Sequence, residues 1–224
     1  MRRLFAGSLI VCLFFIFGAV SVDAAKPGAN KQAFFIHHST GEVYVDGGMR
    51  EKMEAAGYSL EAPWWDGNTD PQDFPSELTS SASWDIIGDN DILIFKSCYP
   101  ASNIYSQAEL NERKDYYREL YEVYEDHPNV LFVPMSTPPL PKAMTSYKKA
   151  RRAKKFDYWL THKYVEEYSG NNLLPFRLHK QLQTKNGYLK PKYVADPNDG
   201  HPSSNSGIRV GNKLVKRLNS YFAN

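Results

Sequence analysis

Ala33-Phe34-Phe35-Ile36 runs straight into His37-His38-Ser39-Thr40-Gly41, and no apolar residue follows Ile36 until Val43. An uninterrupted apolar run of this length has no solvent face. As a strand it must be buried on both sides, which calls for a parallel sheet with helices over each face. The abrupt polar end then emerges beyond the carboxyl edge of the sheet, where open α/β sheets bind their ligands. Ser39 stands where a nucleophile is expected. The plainer alternative is that Ser39 and Thr40 cap the next helix, since both are good capping types.

The remaining chain repeats the pattern. Met49 to Ala56 reads as a helix stopped by Gly57, and Tyr58 to Ala62 as a second strand. Pro63 to Ser76 is a long loop carrying Trp64 and Trp65, with a short helix predicted around 76–84. Asp91 to Phe95 is a third strand that turns polar in Lys96-Ser97-Cys98 and the residues up to Asn103. Ser106 is placed to cap a long helix, Gln107 to about Asp126, with Leu110, Tyr117, Leu120, Tyr121 and Tyr124 on one face. Asn129 to Met135 is a fourth strand, Lys142 to Tyr168 mostly helix, and Leu173 to Leu178 a fifth strand. A last helix starts near Ser204 or Asn205 and buries Ile208, Val215, Leu218 and Phe222, with Gly207 and Gly211 bringing it close to the sheet. Strand–helix alternation of this kind implies an α/β fold of three layers, α/β/α, around a central parallel sheet, in one domain spanning 25–224.

The first residues point to export. Arg2 and Arg3 precede an uncharged apolar stretch from Leu4 to Val22, and Val22-Asp23-Ala24 offers the small residues a signal peptidase reads. Residues 1–24 are therefore expected to be a signal peptide, with a secreted or periplasmic mature chain starting at Ala25. Cys98 is the one cysteine beyond that segment, so no internal disulfide can form, and a free thiol is expected to pack as a small apolar group. With 27 Lys and Arg against 25 Asp and Glu, the charge balance does not suggest a nucleic-acid partner.

Three polar clusters are thus expected at one rim: 37–40, 97–103 and 196–201. A serine needs an adjacent base to become a nucleophile, and His201 in its turn is the natural one. A carboxylate must then hold the imidazole, and Asp199 and Asp196 are both near. The amide of Ser39 and the side chain of Asn103 would suit a developing oxyanion.

Phe34 to Ser39 resembles the opening block of the SGNH (GDSL-type) hydrolases, in which a strand ends in Gly-Asp-Ser; here His37-His38 precede the serine. Asp199-Gly200-His201-Pro202 resembles the closing block that supplies the family's catalytic Asp and His before the last helix, although Asn198 stands three residues before His201 where the family has its Asp. Tyr99 to Asn103 occupies the region of the oxyanion-hole asparagine, and Gly67, in Trp64-Trp65-Asp66-Gly67-Asn68, is the best match for the second-block glycine. The resemblance implies the flavodoxin-like SGNH fold and an esterase. Ser39 would be its nucleophile, with His201 and Asp199 completing the triad and Ser39, Asn103 and Gly67 forming the oxyanion hole. No metal or organic cofactor is implied. The substrate class would be an acyl ester on a carbohydrate or lipid. A site that has lost catalysis and only binds a glycan, or an accessory domain working with a partner, is the alternative.

Two further features stay open at this level. His37 and His38 are adjacent on a strand, point to opposite faces and so do not readily share a metal. The basic residues from Lys142 to Lys155 are either a solvated helix face or a contact for an anionic surface.

Overall fold

The computed structural model describes residues 30–223. The expected signal peptide, 1–24, lies outside them.

The chain opens with β1 (Lys31–Ile36), whose last four residues are all buried. Helix α1 (Ser39–Tyr44) follows at once and runs through a π-helical segment (Val45–Met49) into α2 (Arg50–Ala55). Then come β2 (Tyr58–Glu61), α3 (Phe74–Thr79), α4 (Ser81–Ile87) and β3 (Ile92–Lys96). After a 3-10 turn (Tyr99–Ser102) the long α5 (Gln107–Asp126) leads to β4 (Leu131–Met135). The helices beyond β4 are α6 (Tyr147–Leu160), α7 (Lys163–Glu167), α8 (Leu178–Leu182) and α9 (Ser206–Phe222).

The strands form one parallel sheet in the order β2-β1-β3-β4. Alternate residues of each strand feed opposite faces, as the pleat requires. Ala33, Phe35, Ile92, Ile94 and Val133 face a layer containing α9 residues Val210, Leu214 and Leu218. Phe34, Ile36, Leu93, Phe95 and Phe132 face the layer built on Tyr117, Leu120 and Tyr124 of α5 and on Phe156 of α6. The result is the three-layer α/β/α arrangement expected from the apolar runs. Ser106 caps α5 as predicted, its Oγ accepting from the Glu109 amide.

Four expectations need correction. The first helix starts at Ser39, ten residues before the predicted Met49. Glycines at 41, 47 and 48 hide it, since glycine is among the poorest helix formers. Packing supplies what propensity lacks: a Cβ on Gly207 would collide with the carbonyl of Tyr44 and the backbone of Gly47. Gly207 and Gly211 thus bring α9 against the α1–α2 helix, not against the sheet. That contact also turns Ile208 outward, 48% exposed, while Val210 and Leu214 take the buried face.

The fifth strand is only a broken one. Leu173 bridges Phe132 and Phe176 bridges Met135, both parallel, and Leu178 already belongs to α8. The cause is proline. Phe132 donates to the Asn172 carbonyl and accepts from the Leu174 amide, and the Phe176 amide donates to the carbonyl of Pro134. The ladder next needs residue 134 to donate to Leu174, and Pro134 has no N–H.

Candidate active site

The carboxyl ends of β1 and β3 lie side by side, because Ile36 pairs with Phe95 in the register. Their polar continuations therefore meet. His38 is the extended residue before α1 (φ −119°, ψ −167°) and makes no side-chain cap. Neither Ser39 nor Thr40 serves as that cap either; both hydroxyls reach across to β3. Ser39 Oγ lies 3.2 Å from Cys98 Sγ, Thr40 Oγ1 lies 3.6 Å from the same sulfur, and Lys96 Nζ donates to Thr40 Oγ1 at 2.6 Å.

Lys96 is wholly buried, and burial pulls its ammonium down to about 8. Burial raises the Cys98 thiol, but the Lys96 charge and hydrogen bonds from Ser39 and Thr40 outweigh it, so the thiol sits below its ordinary value. Cys98 is thus not the inert apolar filler expected of it. Lys96, Cys98, Thr40 and Ser39 form one polar chain under the strand ends. The sequence did carry a signal: Lys96 and Cys98 are two apart on an extended segment and share a side of it.

The two histidines diverge. His37 is buried, with Nδ1 3.3 Å from the His38 carbonyl oxygen and Nε2 3.4 Å from that of Ala62, and burial holds its imidazole below the ordinary value. His38 ties down the 62–69 loop. Its Nε2 meets the Trp65 carbonyl at 2.8 Å, its Nδ1 meets Thr69 Oγ1 at 3.1 Å, and Trp64 stacks on its ring at 5.2 Å. Trp65 is buried edge-on against Phe34, whereas Trp64 is 57% exposed. The tryptophan pair is thus split between a core anchor and a surface ring.

His201 and Asp199 come from the loop before α9. That loop is pinched at its base by the Val194–Pro202 bridge and by the Ser203 amide donating to the Tyr193 carbonyl. Asp199 Oδ1 accepts from His201 Nδ1 at 2.6 Å and from the His201 amide at 3.1 Å. The backbone bond, with the ring bond behind it, holds the Asp199 carboxyl below the usual carboxylate range. An Nδ1–H bound to a carboxylate leaves Nε2 as the free lone pair. Asp196 is used locally, accepting from the Asn198 amide. The His201 ring packs edge-on against Tyr99 at 5.0 Å, and a Cβ on Gly200 would collide with the same tyrosine ring. Tyr99 follows Cys98, so one short segment touches Ser39 on one side and the His201 loop on the other.

The other two residues have local partners. Asn103 Nδ2 donates to the Met144 carbonyl at 3.3 Å, leaving its second N–H and a buried Oδ1 without a partner among the described residues. Gly67 lies between the side chains of Trp65 and Glu77, and the neighbouring Asn68 amide donates to Glu77.

No protein-family model matches the sequence, and no curated protein matches it. Solved structures do. One, titled a "putative acylhydrolase" from Bacteroides fragilis, superposes with a TM-score of 0.53 at 12% identity, covering 86% of this chain and 88% of that one. The chain has an SGNH/GDSL-like hydrolase fold. A second, a GDSL-like lipase from Bacteroides thetaiotaomicron, gives a TM-score of 0.50 at 10% identity over 85% of this chain and 88% of that one. At such identities it is the fold that is shared. Within it, Ser39 opens the helix that follows the first strand, and Asp199 and His201 lie in the loop before the last helix.

Proposed function

We propose that the protein is a serine esterase, with Ser39 as nucleophile, His201 as base and Asp199 as the carboxylate that orients it. The observation that carries this reading is the His201–Asp199 pair, 2.6 Å apart, seated on Tyr99 next to the Cys98 thiol that touches Ser39. Asp199 fixes the tautomer, so Nε2 is free to take the Ser39 proton as Oγ attacks an ester carbonyl, and later to return it to the leaving alcohol. The Ser39 amide, the spare N–H of Asn103 and the amide at Gly67 would hold the oxyanion. The names of the two structural neighbours, an acylhydrolase and a lipase, agree with an ester substrate. An acyl group on a carbohydrate or lipid outside the cytoplasm fits this reading together with removal of residues 1–24, and the exposed Trp64 beside His38 offers a flat apolar surface to such a substrate.

One observation favours a second reading. The Ser39 hydroxyl is paired with the Cys98 thiol and not with His201, as in a site that binds a glycan ester without cleaving it. Incubation with a fluorophosphonate followed by peptide mapping separates the two. Labelling at Ser39, abolished by Ser39→Ala and by His201→Ala, supports the esterase. An unlabelled protein that still binds acylated oligosaccharide favours the binding protein.

A further inference from the structure

Three depressions follow one another along α6. The first, about 310 Å³, is lined by Arg177, Lys180, Lys213 and Arg217 with His162. The second, about 300 Å³, shares Arg177 and adds Arg151, Lys154 and Lys155 around Tyr158. The third, about 450 Å³, shares Arg151 and Lys155 and adds Lys148 and Arg152 beside Tyr147. Arg177 lines the first two and Arg151 and Lys155 line the last two, so the three adjoin as one grooved track. No Asp or Glu lines any of the three. Of the cations, Arg177 is already paired, its guanidinium 2.9 Å from the buried Asp157.

This concentration of charge is local, since the whole chain carries a formal charge of only +2. Cations crowded along a concave track repel one another unless a ligand offsets them, and their field is focused there. We propose that the groove binds a polyanionic polysaccharide, one bearing carboxylates or sulfates along its length. Shape argues against a membrane: the surface is concave, and its exposed large side chains are two tyrosines, with no aliphatic residue to insert. Ring occupancy argues against nucleic acid. Tyr158 is already stacked on His162 at 4.0 Å with Arg177 over it, and Tyr147 is bonded and covered by Arg151, so neither offers bases a free platform. Charge recognition without stacking is what remains. The inference concerns a second site and stands whether or not Ser39 is a nucleophile.

The test is direct binding by the full chain to polygalacturonate, dextran sulfate and neutral dextran, with single-stranded DNA and phosphatidylglycerol vesicles as further arms. Binding is expected to polygalacturonate, to dextran sulfate or to both, the two arms telling carboxylate from sulfate recognition. It should be absent with neutral dextran and weaken steeply with salt. The triple variant Arg151→Glu, Lys155→Glu, Lys213→Glu should bind at least about tenfold more weakly, with an unchanged melting temperature and an unchanged rate of fluorophosphonate labelling at Ser39. If the triple variant unfolds, Lys155→Glu alone, on the exposed face of α6, should still weaken binding several-fold. No binding to either polyanion, equal binding by the folded variants, or tighter binding to DNA or vesicles would overturn the proposal.

Discussion

The molecule holds two groups of Ser, His and Asp at strand ends, and they differ in one respect. At the end of β1, Ser39 meets a thiol, while His201 and Asp199 form a part-exposed pair. Just past β4, Ser136 is fully buried and both of its hydrogen-bonding roles are filled: Oγ donates to Asp157 at 2.7 Å and accepts from the His179 amide at 3.0 Å. Asp157 is also fully buried and accepts from Arg177 Nε at 2.9 Å, and burial keeps the His179 imidazole below its ordinary value. The residue types are the same. A buried hydroxyl that both donates and accepts is a strut that pins α6 and α8 to the end of β4. At the end of β1, Ser39 has only the Cys98 thiol as a side-chain partner among the described residues, and the His201 ring is bound to Asp199 through Nδ1 alone, so both keep hydrogen-bonding capacity unused.

That contrast can be broken by substitution. Ser39→Ala should remove ester hydrolysis by up to about 10⁶-fold, with the double variant Ser39→Ala, His201→Ala little worse, because such residues act as one unit. Ser136→Ala should leave kcat unchanged and lower unfolding free energy by about 1–3 kcal/mol. Loss of activity on Ser136→Ala at full stability, with retention on Ser39→Ala, would invert the two assignments. Next in size, Asp199→Asn should cost about 10⁴-fold in kcat through the wrong tautomer and leave the denaturant midpoint in place. Asp157→Ala should do the reverse, destabilising by about 3–5 kcal/mol because Arg177 is left without its buried partner. Retention of activity by Asp199→Asn and its loss in Asp196→Asn would transfer the role to Asp196.

Smaller effects sharpen the picture of Cys98. Iodoacetamide should alkylate it several-fold faster near neutral pH in the parent than in Lys96→Met, since removing the ammonium raises the thiol's pKa. Equal rates would show that the Lys96 charge does not reach the sulfur. The same pair sets a pH dependence. Lys96 falls from 10.5 to about 8 on folding and Cys98 falls below 9.0, so the unfolded chain holds more protons in this range. Stability should therefore rise with pH above about 8, level off near 10.5, and rise less in Lys96→Met; denaturant titration at several pH values measures it.

Much of the fold was legible because burial on two faces leaves an unmistakable trace. The runs at 33–36, 92–95 and 131–133 could only be central strands, and α5 announced itself by its cap and its stripe. What stayed hidden depends on distant partners. Nothing near Gly41 and Gly47 shows that α9 will press the first helix into shape, and nothing near Leu173 shows that Pro134 will withhold a donor. The candidate site follows the same division. Ser39, Asp199 and His201 are candidates read from their place relative to strands and helices. From sequence Cys98 reads as a small apolar group with only Lys96 near enough to lower its pKa, since its contacts to Ser39 and Thr40 arise only when β1 and β3 lie side by side.

Proline at the sheet margin has one more effect. Alternation along the broken strand turns residue 174 toward β4 and residue 175 away from it, and residue 175 is proline. The outward margin therefore lacks a donor where another chain would seek one. The opposite margin, β2, is only four residues long. A parallel sheet assembles from distant segments and is slow to complete, so its open margins are exposed to neighbouring chains for longer. With one margin blunted by Pro175 and the other too short to template an added strand, the protein is protected against edge-to-edge aggregation while it folds.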